Sequence, residues 1–262
     1  MASLLSVTGV CGGYRKETVI KDISLEINKG DFLGIIGPNG SGKTTLLRLM
    51  SRVLAAQKGD IFLEGRDIAR MDLKQFCQKA AFVPQDTLIN FSFSVREIVL
   101  MGRIPHLKRM QWETKRDLGI AQAALAMTDT LHLQEKMIDE LSSGERQRII
   151  IAKALAQEPS LLFLDEPTSH LDIGHQIQIL DLLKKLNRQK GLTIVMVLHD
   201  LNLAGEYCNR IALLNQGMIF KQGSPAEVLT YQNIEAVYRT VVVVKDNPLS
   251  SRPYVILVSG VK

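Results

Sequence analysis

The stretch Phe32-Leu33-Gly34-Ile35-Ile36-Gly37-Pro38-Asn39-Gly40-Ser41-Gly42-Lys43-Thr44-Thr45-Leu46-Leu47-Arg48-Leu49-Met50 decides the fold. A short apolar run of strand character enters a glycine-rich turn, and a helical pattern begins directly behind it. The turn fits G-x-x-x-x-G-K-S/T, with Gly37, Gly42, Lys43 and Thr44 at the required offsets. Glycines let a backbone wrap closely around an anion and point successive N–H groups inward, and the following helix adds its positive N-terminal end.

The chemistry explains the remaining residues of the loop. Lys43 is placed to neutralise the β and γ phosphates of a nucleotide, and the Thr44 hydroxyl to ligate Mg²⁺. Pro38, Asn39, Gly40, Ser41 and Thr45 complete the same nucleotide-binding segment. Further on, the apolar run Leu161-Leu162-Phe163-Leu164 ends in Asp165-Glu166. Two carboxylates at the end of a buried strand are costly unless they hold a metal or do chemistry, because an unpaired charge there loses its hydration. In phosphoryl-transfer sites the first acid holds Mg²⁺, commonly through water, and a second group orients the attacking water.

Outward from these two elements the chain alternates. Leu4 to Val7 and Ile23 to Ile27 have strand patterns ahead of the loop, and Asp60 to Gly65 reads as a strand closed by a glycine turn. From 95 to 157 the β signal gives way to helical periodicity, for instance Ile120, Ala123, Ala124 and Met127. Strand and helix patterns then alternate through Leu161 to Leu164, Ile177 to Leu186, Thr193 to Leu198, Leu201 to Tyr207 and Ile211 to Leu214. The expectation is an α/β fold: a phosphate-loop NTPase core with a largely parallel sheet covered on both faces, an N-terminal antiparallel β portion and an inserted helical subdomain. One domain over 1–262 is expected, with a nucleotide-binding core at 1–94 and 158–240, the helical subdomain at 95–157, and a C-terminal β appendage at 241–262 made of two strands around Pro248.

The bulk numbers bound the function classes. The 262 residues are 46% hydrophobic and 23% charged, which is ordinary for a soluble protein. No apolar stretch reaches the length that spans a bilayer, and Met1 to Leu5 lacks the regions of a secretion signal, so a cytoplasmic chain is expected. Cys11, Cys77 and Cys208 are scattered without a C-x-x-C pair, which points to apolar fillers rather than disulfides or zinc. The net charge of +5 permits anionic partners, with one concentration at Arg103, Lys108, Arg109, Lys115 and Arg116.

Taken in order, these elements resemble the ATP-binding subunit of an ABC transporter over nearly the whole chain. Tyr14 is similar to the aromatic residue that stacks on adenine, Gly37 to Thr44 to the phosphate loop, and Gln85 to the glutamine that switches between the metal site and the membrane partner. Leu141 to Glu145 resembles the family signature, Leu161 to Glu166 the acidic strand, Ser169-His170-Leu171-Asp172 the loop joining two active sites, and His199 the γ-phosphate sensor. The signature usually reads L-S-G-G-Q; here Ser143 stands for the first glycine and Glu145 for the glutamine. The resemblance implies ATP and Mg²⁺ as cofactors, with Thr44, Gln85 and, via water, Asp165 at the metal. It implies Glu166, His199, Lys43 and Gln85 as catalytic residues. It also implies a head-to-tail homodimer in which Ser142, Ser143, Gly144 and Glu145 contact the ATP of the opposite chain and Asp172 carries communication between the sites.

The stretch from Phe91 through Val95-Arg96-Glu97 and Gly102-Arg103-Ile104-Pro105-His106 is similar to ATPases of importers for iron chelates, haem and vitamin B12, as is the tail at Asp246 to Pro253. This implies a peripheral subunit on the cytoplasmic face of the inner membrane, partnered by an integral-membrane permease and indirectly by a substrate-binding protein, with no nucleic acid. The basic cluster then falls near the permease or the anionic leaflet. The competing reading is a soluble ABC ATPase without a permease, such as an iron-sulfur cluster assembly factor; the motifs alone do not separate the two, and they leave the cargo open.

Overall fold

The computed structural model describes residues 3–15, 17–85 and 92–259. The chain divides into two compact units, one of Met1–Arg70 with Thr193–Lys262 and the other of Met71–Leu192. The first unit begins with β1 (Ser3–Gly12), β2 (Ile20–Asn28), β3 (Phe32–Ile36), α1 (Lys43–Met50), β4 (Lys58–Leu63) and β5 (Arg66–Asp67). The second contains α2 (Leu73–Lys79), β6 (Ala80–Val83), α3 (Val95–Leu100), α4 (Lys115–Met127), α5 (Ser143–Ala156), β7 (Leu161–Asp165) and α6 (Ile173–Lys190). The chain then returns to the first unit with β8 (Thr193–Val197), α7 (Leu201–Tyr207), β9 (Arg210–Asn215), β10 (Met218–Gly223), α8 (Pro225–Val228), α9 (Tyr231–Tyr238), β11 (Val242–Asp246) and β12 (Pro253–Leu257).

The first unit carries two β systems. An antiparallel sheet in the order β2-β1-β4-β5 supplies the expected N-terminal β portion. Beside it, β3 is paired in parallel with β8 and with β9, and β10 runs antiparallel along β9. Every residue of β3 and β8 is buried, the pattern of parallel strands covered on both faces. Gly34 in β3 is small because an added Cβ would lie 2.7 Å from Cys208 Sγ. Burial pushes the Cys208 thiol up to about 12, so it behaves as the inert filler expected of it. Cys11 and Cys77 are only half-buried, and Cys11 Sγ accepts the backbone N–H of Asp22 at 3.3 Å.

In the second unit β6 and β7 pair in parallel. Its helices are capped as their sequences dictate: Ser94 with Glu97 starts α3, Thr114 with Asp117 starts α4, and Ser142 with Glu145 starts α5. Helix α4 forms where its periodicity predicts, with Ala124 buried and Ile120 and Met127 half-buried, and its inward face extends to residues that periodicity does not mark. Asp117, Ala121, Ala124 and Leu125 are buried, whereas Ala123 is exposed.

One of these residues, Asp117, pairs with a buried charge. Arg103, expected in the basic surface cluster, is 3% exposed and belongs to the interior. Its Nε donates to Asp117 Oδ1 at 3.0 Å, and its Nη1 to the Ala156 carbonyl at 2.6 Å and to Glu158 Oε2 at 2.8 Å. Lys108, Arg109, Lys115 and Arg116 remain exposed. The Thr114 hydroxyl and backbone N–H, followed by Arg103, hold the Asp117 carboxyl down from 3.8 to about 2.

Removing one partner of a buried pair strands the other charge. Arg103→Ala is therefore expected to destabilise the chain by about 3–5 kcal/mol in urea unfolding. Because Asp117 is more acidic in the folded chain than in the unfolded one, its contribution is present above pH 3.8 and is lost as pH falls toward about 2. An acid titration of stability that is flat through this window in the wild type would contradict the assignment.

Candidate functional site

The residues predicted from sequence fall in both units. The first holds Tyr14, the loop at 37–45 and His199; the second holds Gln85, the 141–145 segment, Asp165, Glu166 and Asp172. Phe91 lies outside the described residues.

The loop leaves β3 through Gly37 with φ 149°, then passes Gly40 with φ 76° and Gly42 with φ 99°. These left-handed conformations favour glycine, and contact adds to the requirement. A Cβ on Gly37 would lie 2.4 Å from the Leu214 carbonyl oxygen, and one on Gly42 would lie 2.7 Å from Ile20 Cδ1. The N-cap of α1 is Gly42, which carries no side chain to cap the helix, so the loop's concavity opens onto the first turn of α1. Lys43 is buried, and its Nζ donates to the carbonyls of Gly37 at 2.9 Å and Pro38 at 3.1 Å. The Ser41 hydroxyl is buried with no hydrogen-bond partner among the described residues. A buried hydroxyl left over beside an inward ammonium and the N-terminus of a helix fits a phosphate group. Asn39 and Gly40 are exposed at the loop tip, and Thr44 and Thr45 lie in the first turn of α1.

Tyr14 is 41% exposed, and its hydroxyl accepts from Arg48 Nη1 at 2.9 Å, which fixes the ring at the surface. His199 is exposed just past β8. Leu198 before it donates its N–H to the Ile35 carbonyl at 3.1 Å, and Asp200 after it caps α7 by accepting from the N–H groups of Asn202 at 2.7 Å and Leu203 at 3.0 Å.

In the second unit Asp165 is fully buried at the end of β7. Glu166 follows with φ 48°, a left-handed backbone that is uncommon for a residue with a Cβ. Its carbonyl is held by the Ser169 N–H at 3.1 Å and the Ser169 hydroxyl at 2.9 Å. Gln85 Nε2 donates to Glu166 Oε2 at 2.8 Å, which brings together two residues 81 positions apart.

The 141–145 segment is a helix start. Ser142 Oγ accepts from the Glu145 N–H at 3.3 Å, while Glu145 Oε2 accepts from the Ser142 N–H at 2.9 Å and Ser142 Oγ at 2.7 Å. The Ser142 hydroxyl and N–H keep the Glu145 carboxyl below the usual range. Glu145 therefore serves as the third helical residue of a capping box, a place where glutamate and glutamine are equivalent. Ser143 is exposed and Gly144 buried. Asp172 caps α6, with Oδ1 accepting from the His175 N–H at 2.9 Å and Oδ2 lying 2.8 Å from His175 Nδ1.

Two residues emerge that sequence reading did not single out. The His175 ring lies over Gly144, where an added Cβ would fall 2.3 Å from Cδ2; His175 thereby joins Asp172 to the signature segment. Its only sequence signal is its place three residues after a helix cap. Tyr238 in α9 has a hydroxyl sealed from solvent, with no hydrogen bond of ordinary geometry among the described residues. Burial pushes that phenol up to about 12, offset in part by the Gly37 backbone it faces. Nothing local marks Tyr238 in the sequence.

The chain is similar to several known proteins. A family model described as ABC transporter matches residues 20–169. An uncharacterized ABC transporter ATP-binding protein of Bacillus subtilis, YvrA, is 41% identical over 254 residues, 97% of this chain, and the chain spans 58% of that relative's length. The ferric enterobactin transport ATP-binding protein FepC of Escherichia coli is 40% identical over 244 residues, covering 93% of this chain and 90% of FepC. A solved structure described as an inward-facing transporter of metal-chelate type superposes with a TM-score of 0.85 at 32% identity, over 97% of this chain and 96% of the other.

The contact between His175 and Gly144 gives a test in which two effects oppose. Alanine is favoured over glycine in a helix by about 1 kcal/mol. Overpacking costs about 1–3 kcal/mol. Gly144→Ala is thus expected to destabilise the wild-type chain by roughly 1 kcal/mol and to stabilise a His175→Ala chain by a similar amount. Equal effects in both backgrounds, measured by urea unfolding, would remove the contact.

Proposed function

This chain belongs to the ABC transporter family of ATP-binding proteins, and on that premise we propose that it is the ATP-hydrolysing subunit that powers a membrane importer of metal chelates. The cargo class proposed is iron-siderophore, haem or cobalamin-type chelates, by analogy with FepC and with the metal-chelate-type transporter. The chain then works as a peripheral subunit on the cytoplasmic face of the membrane, bound to an integral-membrane permease that receives cargo from a substrate-binding protein. Among the described residues no helix is long and apolar enough to cross a membrane, so the spanning part falls to the permease.

In this reading two copies close head to tail. Each ATP lies between the loop at 37–45 of one chain, with Tyr14 against the adenine, and Ser142, Ser143, Gly144 and Glu145 of the other. Bound Mg²⁺ supplies neutralisation of the phosphate charge; Thr44, Gln85 and, through water, Asp165 offer the hard oxygen donors that it takes. Lys43 releases its two carbonyls to engage the β and γ phosphates. Glu166 polarises the attacking water, and His199 holds the γ phosphate in line with it. Asp172 relates the two sites across the dimer. Hydrolysis removes the bridging phosphate, and opening of the dimer delivers the stroke to the permease. The division into a nucleotide-binding core at 1–94 and 158–240, a helical subdomain at 95–157 and a β appendage at 241–262 assigns these roles along the chain.

The observation that carries the reading is the 2.8 Å hydrogen bond from Gln85 to Glu166. It ties the residue assigned to water activation to the residue assigned to the membrane partner. Glu166→Gln is expected to keep ATP binding, lower turnover at least about a hundredfold and trap the closed dimer. An undiminished steady-state rate would remove Glu166 from its role. The same variant, tagged and purified with ATP in mild detergent from its native cells, is expected to retain a multi-span permease; recovery of soluble partners alone would replace the importer with an assembly-factor ATPase.

A further inference from the structure

The C-terminal hairpin of β11 and β12 has no part in the chemistry above, yet it grips the short helix that follows His199 at both ends. At the start of α7, Asn202 Nδ2 donates to the Val255 carbonyl at 3.1 Å, and the Val255 N–H donates to Asn202 Oδ1 at 2.7 Å. At its end, Arg252 Nη1 donates to the carbonyls of Gly205 at 2.7 Å and Cys208 at 2.8 Å. These are carbonyls of the last turn, which the helix itself leaves without partners. Ser250 Oγ adds a bond to Glu206 Oε2 at 2.6 Å. Between the ends the surfaces touch: a Cβ on Gly205 would lie 3.0 Å from the Pro253 carbonyl oxygen.

His199 sits between two anchors. On its N-terminal side β8 is locked to β3, down to the bond from Leu198 N–H to the Ile35 carbonyl at 3.1 Å. On its C-terminal side the chain enters α7 through the Asp200 cap at once. The histidine backbone is therefore fixed by β8 and by the placement of α7. A helix of seven residues cannot hold itself in register alone, so its placement depends on its two neighbours, β3, where Ala204 and Cys208 lie over Gly34, and the hairpin.

We propose that the hairpin is a strap on α7 and that Asn202 and Arg252 are positioning residues for ATP hydrolysis, acting through His199. The proposal rests on the reading of His199 as the γ-phosphate sensor. A small displacement of such a group is felt in the transition state more than in ground-state binding.

The test is single-turnover and steady-state ATP hydrolysis by the full chain at saturating Mg²⁺ and below every variant's melting temperature. Asn202→Ala and Arg252→Ala are each expected to lower kcat about tenfold with KM for ATP within about twofold of wild type. Arg252→Lys and Asn202→Asp, which each keep one side of the grip, are expected to fall between. In a His199→Ala chain the same substitutions are expected to add nothing further. A wild-type kcat in both strap variants, or a tenfold loss that persists undiminished in His199→Ala, would overturn the strap. A wild-type rate in His199→Ala alone would instead overturn the reading of His199 on which it stands.

Discussion

Parallel pairing of β3 on both edges is the constraint on which the first unit depends. Held between β8 and β9 and buried at every residue, β3 has no freedom to slide, because a one-residue slip would reverse which side chains face each layer. The loop at 37–42 consequently leaves the sheet at a fixed point, and its glycines turn the backbone there. The adjacent β8 ends at the same level and releases His199. In the second unit β7 does likewise with Asp165 and Glu166. Ligands of open α/β sheets gather outside the carboxyl ends of the strands, and in each unit the residues proposed for the chemistry follow such an end.

The parts legible in the sequence are those whose function is written in contiguous residues. A glycine-rich turn needs its glycines in order, and an acidic pair needs the buried strand before it, so both were readable from spacing. The tail also read correctly as two strands around a proline turn, now β11 and β12. Contacts between distant positions were not readable. Arg103 reads as one of five surface cations, but its partners Asp117 and Glu158 lie 14 and 55 residues away. The same pair places a charged residue, Asp117, on the inward face of α4, where apolar periodicity gives no sign of it. Strand β10 went unread because it is an edge strand whose residues are largely exposed, giving no apolar alternation to detect. Tyr238 and His175 act through space on glycines far along the chain.

The departures from the family signature have a local account. Glu145 accepts from both the backbone and the hydroxyl of Ser142, as a glutamine oxygen could, and its charge at the first turn of α5 favours the helix dipole. The same geometry occupies the Ser142 proton. For that hydroxyl to donate to a phosphate of a partner chain it has to rotate away from Glu145, while its bond from the Glu145 N–H can persist. Ser143 lies on the exposed side of the first turn and disturbs none of this.

Gly34 and Cys208 share one volume. The sulfur fills the space that a methyl group on residue 34 would need, at 2.7 Å, closer than a carbon and a sulfur that are not bonded can stand. Neither position can therefore drift by itself: a larger residue in the strand demands a smaller one after α7, and the reverse substitution opens a void. The two positions are coupled across 173 intervening residues, and among descendants of this sequence they should change together or remain as they are.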